Sequence, residues 1–344
     1  MKNQELLIAA TELQRNLPVN FMREDKTLFN HEIQRLEPDV YLNRFKNVFI
    51  TNEGMIFKNF LLEDRNVAGP NKKFVDKMIY YLSILLPALL KKVRIVPDPR
   101  ETYLHVYDNW SNAYFHWLCD VLPRLSAVES IHKDCVLLLP AYAKGSYFKE
   151  SISKWTFKDV FYIPNDSYVE VKNLLCPDKI ACTGNYNPGI MSHLREKFNS
   201  GKSVNDPSLK LYSSRSHALA KFVTNEKEMM ELLSGYGYES ICFEDYSLTE
   251  NANLLANCKT LISMHGANLS NMMFMQPRTS VVEFRKRGDS KNNAFFSLAS
   301  ALGINYFYQQ CEFQSGHYAH PNRFDLTVDL DKLEQLLSSY STFL

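Results

Sequence analysis

Leu261-Ile-Ser-Met-His-Gly-Ala-Asn-Leu-Ser-Asn-Met-Met-Phe274 decides the fold. Its first residues read as the end of a buried strand, and after His265-Gly266 the apolar positions take a helical period, so a strand turns directly into a helix. In an open α/β sheet such a turn lies beyond the carboxyl ends of the strands, where ligands bind. Gly266 lets a backbone approach closely, and the unpaired amides of Ala267 and Asn268 that open the next turn suit a diphosphate. His265 can add a charge-assisted hydrogen bond to the same anion. Taken alone, a His-Gly pair is better explained by a core histidine beside a tight turn.

Working outward, short β-branched or aromatic runs alternate with helical periodicity from Leu209 to Gln309. Strands are expected at 209–213, 238–243, 260–264, 280–284 and 304–308, with helices at 225–234, 248–257, 267–275 and 291–302. Repeated β-α-β order implies a parallel, doubly wound sheet. Asn225 with Glu228, and Ser247 with Glu250, each fit an N-cap followed three positions later by an acidic partner. The first strand ends in Leu211-Tyr-Ser-Ser-Arg-Ser216, which points Arg215 toward the same sheet edge as His265. A guanidinium there can hold a phosphate bidentately, with Ser214 and its neighbours assisting. Glu250 can accept from ribose hydroxyls, in competition with its capping role.

The turn-rich segment Asn199–Ser208 is the best linker candidate. The expected organisation is an α/β domain over 1–200, a linker at 201–208, a second α/β domain over 209–310 and a tail over 311–344. Upstream strands are expected at 103–107, 135–139, 160–163 and 168–175, with helices near 112–122, 142–155 and 189–199; residues 1–90 read less clearly. In the tail, Leu330, Leu333, Leu336 and Leu337 fall on one helical face that should pack on a domain. Asp329-Leu-Asp331 has the form of a D-x-D metal signature, but an acidic first turn explains it better.

The upstream stretch Asp108–Leu125 mixes polar groups with aromatics unusually densely. His116 and Asp120, four apart, share a helix face. Such a pair suits the removal of a hydroxyl proton near neutral pH, while nearby rings suit the apolar face of a sugar. A structural pairing of Asp120 with Arg124 competes with that reading.

The bulk numbers exclude some classes. The 344 residues carry 39 Lys+Arg against 38 Asp+Glu, so no global basic field draws the chain to nucleic acid or an anionic membrane. Seven cysteines without a C-x-x-C pair fit a reducing compartment better than a disulfide framework. The N-terminal residues lack the apolar core of a signal peptide. The longest apolar run, Met78–Leu90, contains Pro87 and is too short to span a bilayer; a buried helix is expected there.

The three stretches NAYFHWLCDVLPRL, LYSSRSHALAKFVTNEKEM and SLTENANLLANCKTLISMHGANLSNMMFMQPRTSVVEF together resemble glycosyltransferase family 61, over roughly residues 103–310. The resemblance implies a GT-B-like architecture, two Rossmann-like doubly wound domains facing across a cleft, and inverting, metal-independent transfer from a UDP-sugar with no cofactor. It would place Arg215, Ser214, His265, Gly266, Ala267 and Asn268 at the diphosphate, Glu250 at the ribose and Glu283 with the donor-side residues. His116 and Asp120 would be catalytic, with Asp120 the first choice of base, and Asn112, Tyr114, Trp117 and Arg124 would lie on the acceptor side. An oligosaccharide or glycolipid acceptor, work in bacterial capsule or lipopolysaccharide assembly, and a cytoplasmic location at or near the inner membrane follow from the same resemblance. Two departures stand out: Asn251 where many relatives have Gln, and Asn268 where many have a second glycine. Until catalysis is shown, a noncatalytic nucleotide-sugar-binding module is the alternative.

Overall fold

The computed structural model describes residues 4–58, 61–62, 93–199, 206–218, 220–314 and 324–344. The apolar run 78–90 and positions 201–205 of the expected linker lie outside the described residues. The chain divides into two compact units, one formed by Met1–Thr11 and Glu37–Cys182, the other by Glu12–Leu36 and Thr183–Leu344.

The second unit is built on a six-stranded sheet in the order Glu239–Ile241, Leu209–Ser213, Cys258–Met264, Ser280–Lys286, Asn305–Gln314, Asp325–Thr327. The first five strands are parallel and the last pairs antiparallel. In chain order the five parallel strands run 2-1-3-4-5, so the winding reverses between Leu209–Ser213 and Cys258–Met264. Covered on both faces, these strands are continuous apolar runs: Leu261, Ile262, Val281, Val282 and Phe284 are all fully buried.

The helices Glu226–Gly235, Leu248–Ala256 and Ala294–Leu302 lie within a few residues of their expected places. At Ser247 the capping box forms: its Oγ accepts from the Glu250 amide at 3.2 Å, and Glu250 Oε2 accepts from the Ser247 amide at 2.8 Å. Asn225 does not cap. Its side chain instead holds both main-chain groups of Val328, at 2.8 and 3.0 Å. Helix Ala294–Leu302 stops at Gly303, whose φ of 69° supplies the left-handed residue of a helix end. The tail helix Leu330–Ser339 is capped by Asp329, which accepts from the Lys332 amide at 3.2 Å, and buries Leu333, Leu336 and Leu337 in the unit's core.

Two assignments from sequence are corrected here. Residues 12–36 and 188–199 fall in the second unit, not in an N-terminal domain reaching to 200. Helix Pro188–Asn199 buries Met191, Leu194 and Phe198, and Arg195 and Asn199 donate to the carbonyls of Leu302 and Phe274 at 3.0 and 3.1 Å. The 12–36 segment covers the open edge of strand Asn305–Gln314: the Val19 amide donates to Tyr306 O at 2.9 Å, and the Asn20 side chain satisfies both main-chain groups of Tyr308.

The sheet of the first unit is mixed, not wholly parallel. Among the described residues it carries nine strands, and Asp159–Ile163, Val136–Pro140, Tyr103–His105 and Ser167–Pro177 form the parallel part. Beyond them Val40–Thr51 runs antiparallel to Ser167–Pro177, and Ile56–Lys58 runs antiparallel to Val40–Thr51. The cause is local. A tight turn at Asn52-Glu53-Gly54, with Gly54 at φ 85°, folds the chain into a hairpin, and hairpins join antiparallel neighbours.

Phe284 sits fully buried in a strand with neighbours on both sides. Phe284→Ala is expected to lower unfolding free energy by about 3–5 kcal/mol, read as a fall in the urea midpoint with the slope unchanged.

Candidate active site

The residues leaving the two strands at the reversal point form one corner of the second unit. Arg215 follows Leu209–Ser213 by two residues, and His265 follows Cys258–Met264 directly, with Ser213 and Ser263 in register. Asn268 Nδ2 donates to Ser213 Oγ at 3.0 Å and ties the two turns together. Arg215 is held by its own loop, donating from Nε to Lys221 O at 2.8 Å and from Nη2 to Ala220 O at 3.1 Å. Its Nη1 comes to 3.2 Å from where a Cβ on Gly266 would stand. Gly266 itself is extended, with φ 167°, so what its missing side chain provides is room for the guanidinium.

His265 is aimed by a buried carboxylate. Its Nδ1 pairs with Glu283 Oε1, which leaves Nε2 as the ring nitrogen for a ligand. Glu283 is fully buried, and its other oxygen accepts from the Tyr306 hydroxyl at 2.5 Å. Arg285 Nη1 reaches the same hydroxyl at 3.1 Å, while Nη2 is anchored on Asp289 O and Asn293 Oδ1 at 2.8 and 2.9 Å. Burial opposes ionisation of Glu283, but His265, Arg285 and the Tyr306 hydroxyl outweigh it and hold the carboxyl below its ordinary value. Burial likewise opposes the charge on Arg285, yet Tyr306 and Glu283 hold it above its ordinary value. The edge of the Phe295 ring covers the imidazole at 5.2 Å between centroids.

The segment after Gly266, Ala267–Phe274, is a tight 3-10 helix and not the expected α-helix. Its short polar side chains compete for the backbone: Asn271 Nδ2 takes the Asn268 carbonyl at 3.1 Å. Ala267 is half-buried in its first turn. Ser214 is buried, and its hydroxyl accepts from the Ser216 amide at 3.1 Å. Glu250 is exposed and committed to its capping box, whose bonds to Ser247 hold its carboxyl below the ordinary value.

In the first unit, one helix runs from Tyr114 to Ala127 with a π turn at Trp117–Val121 in its middle. His116 Nδ1 is 2.7 Å from Asp120 Oδ2, and the imidazole is the more accessible partner, 19% exposed against 6%. Trp110, which is exposed, lays its ring 5.1 Å from that of His116. Behind it Lys179 pairs with buried Asp108 at 2.7 Å and stands 5.9 Å from the Trp110 ring. Asn112 is exposed, and Tyr114 is half-buried with its ring 5.2 Å from that of Tyr147. Trp117 and Arg124 are placed in the interior instead. Trp117 is fully buried with Nε1 donating to Ser151 Oγ at 2.8 Å, and Arg124 donates to Pro177 O at 2.6 and 3.0 Å. They are packing and tethering groups.

Four residues escaped sequence reasoning: Trp110, Lys179, Arg285 and Tyr306. A signal existed for Arg285. Glu283 and Arg285 stand two apart in the otherwise apolar Val281–Arg285, hence on one strand face, which marks a buried ion network.

A family model described as Glycosyltransferase 61 matches residues 114–282, from the start of the His116 helix to the residue before Glu283. The chain is similar to that family over 169 of its 344 residues. It is accordingly a glycosyltransferase, and its nucleotide-sugar donor and carbohydrate acceptor follow from the family. No curated protein matches the sequence. Among the described residues no helix is long and apolar enough to cross a membrane.

Because the folded state lowers the Glu283 pKa, its stabilising contribution is complete above the ordinary carboxylate range and is lost as pH falls through the folded-state value. Glu283→Gln is expected to cost about 3 kcal/mol at neutral pH and to flatten the acid limb of stability. Urea melts of both proteins across the acid range check this. An equal loss at every pH would show that no charge is involved.

Proposed function

We propose that the Arg215–Gly266–His265 corner binds the diphosphate of a UDP-sugar and that the chain transfers the sugar to a carbohydrate hydroxyl with inversion. The observation that carries this is the guanidinium packed over a glycine at the reversal of the sheet, beside an imidazole aimed by a buried carboxylate. Both groups donate to anions, and both are preorganised, so they stabilise charge as it develops without reorganising.

In the proposed step the acceptor oxygen attacks the anomeric carbon as the bond to the β-phosphate oxygen breaks. The hydroxyl proton goes to a base, and the electron pair leaves with the diphosphate. Arg215, a protonated His265 and the amides after Gly266 offset that charge, so that no divalent ion enters the transfer. We assign the base to His116, with Asp120 orienting its ring and stabilising the imidazolium, in the way an acid–histidine pair works elsewhere. Burial decides the order, since Asp120 is the less accessible of the two. The exposed Trp110 ring beside His116 gives a sugar face something to stack on.

The proposal carries a two-unit arrangement of the GT-B kind, with the donor on the second unit and the acceptor on the first. Glu250 retains a place at the same sheet edge, where its outer oxygen can accept from ribose. The acceptor we propose is an oligosaccharide or glycolipid of a bacterial surface polysaccharide, reached by a cytoplasmic enzyme working beside the inner membrane.

Two variants separate the halves. Arg215→Ala is expected to lose about 10²–10³ in turnover together with UDP affinity. His116→Ala is expected to lose about 10²–10⁴ in turnover while UDP binds as in the parent. Calorimetric UDP titration beside a donor-consumption assay reads both, and an Arg215→Ala protein with parental turnover and UDP affinity would reject the corner as the diphosphate site.

A further inference from the structure

The loops leaving strands Leu209–Ser213 and Glu239–Ile241 run side by side, joined by the Ser214 amide donating to Ile241 O at 2.9 Å. They bring His217, Cys242 and Asp245 together, with one ligand atom of each within 4.8 Å of the others. His217 Nδ1 is 3.1 Å from Asp245 Oδ1, and Cys242 Sγ is 3.2 Å from Ser216 Oγ. An imidazole, a thiol and a carboxylate converging from two loops are a borderline-soft donor set, suited to zinc and unsuited to magnesium or calcium, which take oxygen.

We propose that His217, Cys242 and Asp245 form a binding site for a divalent transition-metal cation of the zinc class. Bond lengths of about 2.0–2.3 Å require the three donor atoms to draw together. The side chains of His217 and Asp245, 55% and 53% exposed, have the freedom to do so by rotamer change. Three protein ligands leave the fourth tetrahedral position to water or an anion. The cation ties the loop that carries Arg215, two residues before His217, to the loop after the neighbouring strand. It acts as a brace and takes no part in bond making.

The site is independent of the diphosphate reading, and its test uses no nucleotide. The full chain, kept reduced, is titrated with Co²⁺ as a spectroscopic stand-in. One equivalent is expected to give the visible bands of a four-coordinate site and a thiolate-to-cobalt charge-transfer band, both abolished by Zn²⁺. Of the seven cysteines only Cys182 and Cys242 are not buried, so they are the thiols a metal can meet in the folded chain. Cys242→Ser is expected to remove the charge-transfer band, and Cys182→Ser to keep it. His217→Ala is expected to weaken binding by at least about tenfold, the scale on which even an outer-shell change acts. Circular dichroism checks the fold of each variant, and the exposed His217 position supplies the test if Cys242→Ser does not fold. No stoichiometric spectrum, or a band that survives Cys242→Ser or disappears with Cys182→Ser, overturns the proposal.

Discussion

A carboxylate shut away from water in the middle of a parallel sheet must be paired or neutralised, and Glu283 is such a group. Its partners organise the second unit from the ligand corner to the N-terminal segment. One oxygen fixes His265 at the sheet edge, and the other holds Tyr306 on the neighbouring strand. Tyr306 in turn meets Arg285, which reaches Asn293 at the head of helix Ala294–Leu302, and Asn293 donates to Leu28 O at 2.8 Å. The Phe29 ring covers the guanidinium, 5.0 Å from its centre. Residues 12–36 join this chain of contacts through Leu28 and Phe29.

What the sequence disclosed followed the strength of local periodicity. Between 209 and 309 the alternation of apolar strands and amphipathic helices is regular, and burial on both faces of the sheet leaves an unmistakable trace in runs such as Leu261-Ile-Ser-Met264. His265, Arg215 and Gly266 were legible because they stand at the ends of such runs. The 12–36 segment left no comparable trace. It attaches through single side chains, Asn20 on Tyr308 and Asp25 on Tyr308 and Gln310, and a lone polar contact across some 280 positions has no period. The 3-10 form of Ala267–Phe274 was hidden for a related reason, since side-chain competition for a carbonyl is decided by geometry that composition does not carry.

Asn268 shows how a departure from the family pattern is absorbed. A second glycine there would leave the turn looser; the asparagine instead turns its amide inward to Ser213 and joins the first and third strands where the winding reverses. Gly266, by contrast, acts through space: its extended φ is open to any residue, while a Cβ there would stand 3.2 Å from Arg215 Nη1, and the guanidinium would have to give way by a few tenths of an ångström. The two positions divide the work of the corner: one fixes the distance between the strand ends, and the other lets a cation fill it.

The helix that carries His116 and Asp120 in the first unit contains a backbone irregularity. Pro123 cannot donate to Cys119 O, and its ring would press on that carbonyl in a regular helix. The chain widens one turn upstream, where the Leu122 amide reaches back five residues to Trp117 O. Every residue from Trp117 to Ser126 is buried, so this stretch of the helix is enclosed on all sides and has no polar outer face. Asp120 lies within it and pairs with His116. The π turn therefore lies wholly inside the packed stretch, and His116, 19% exposed, stands at the last position before that stretch begins.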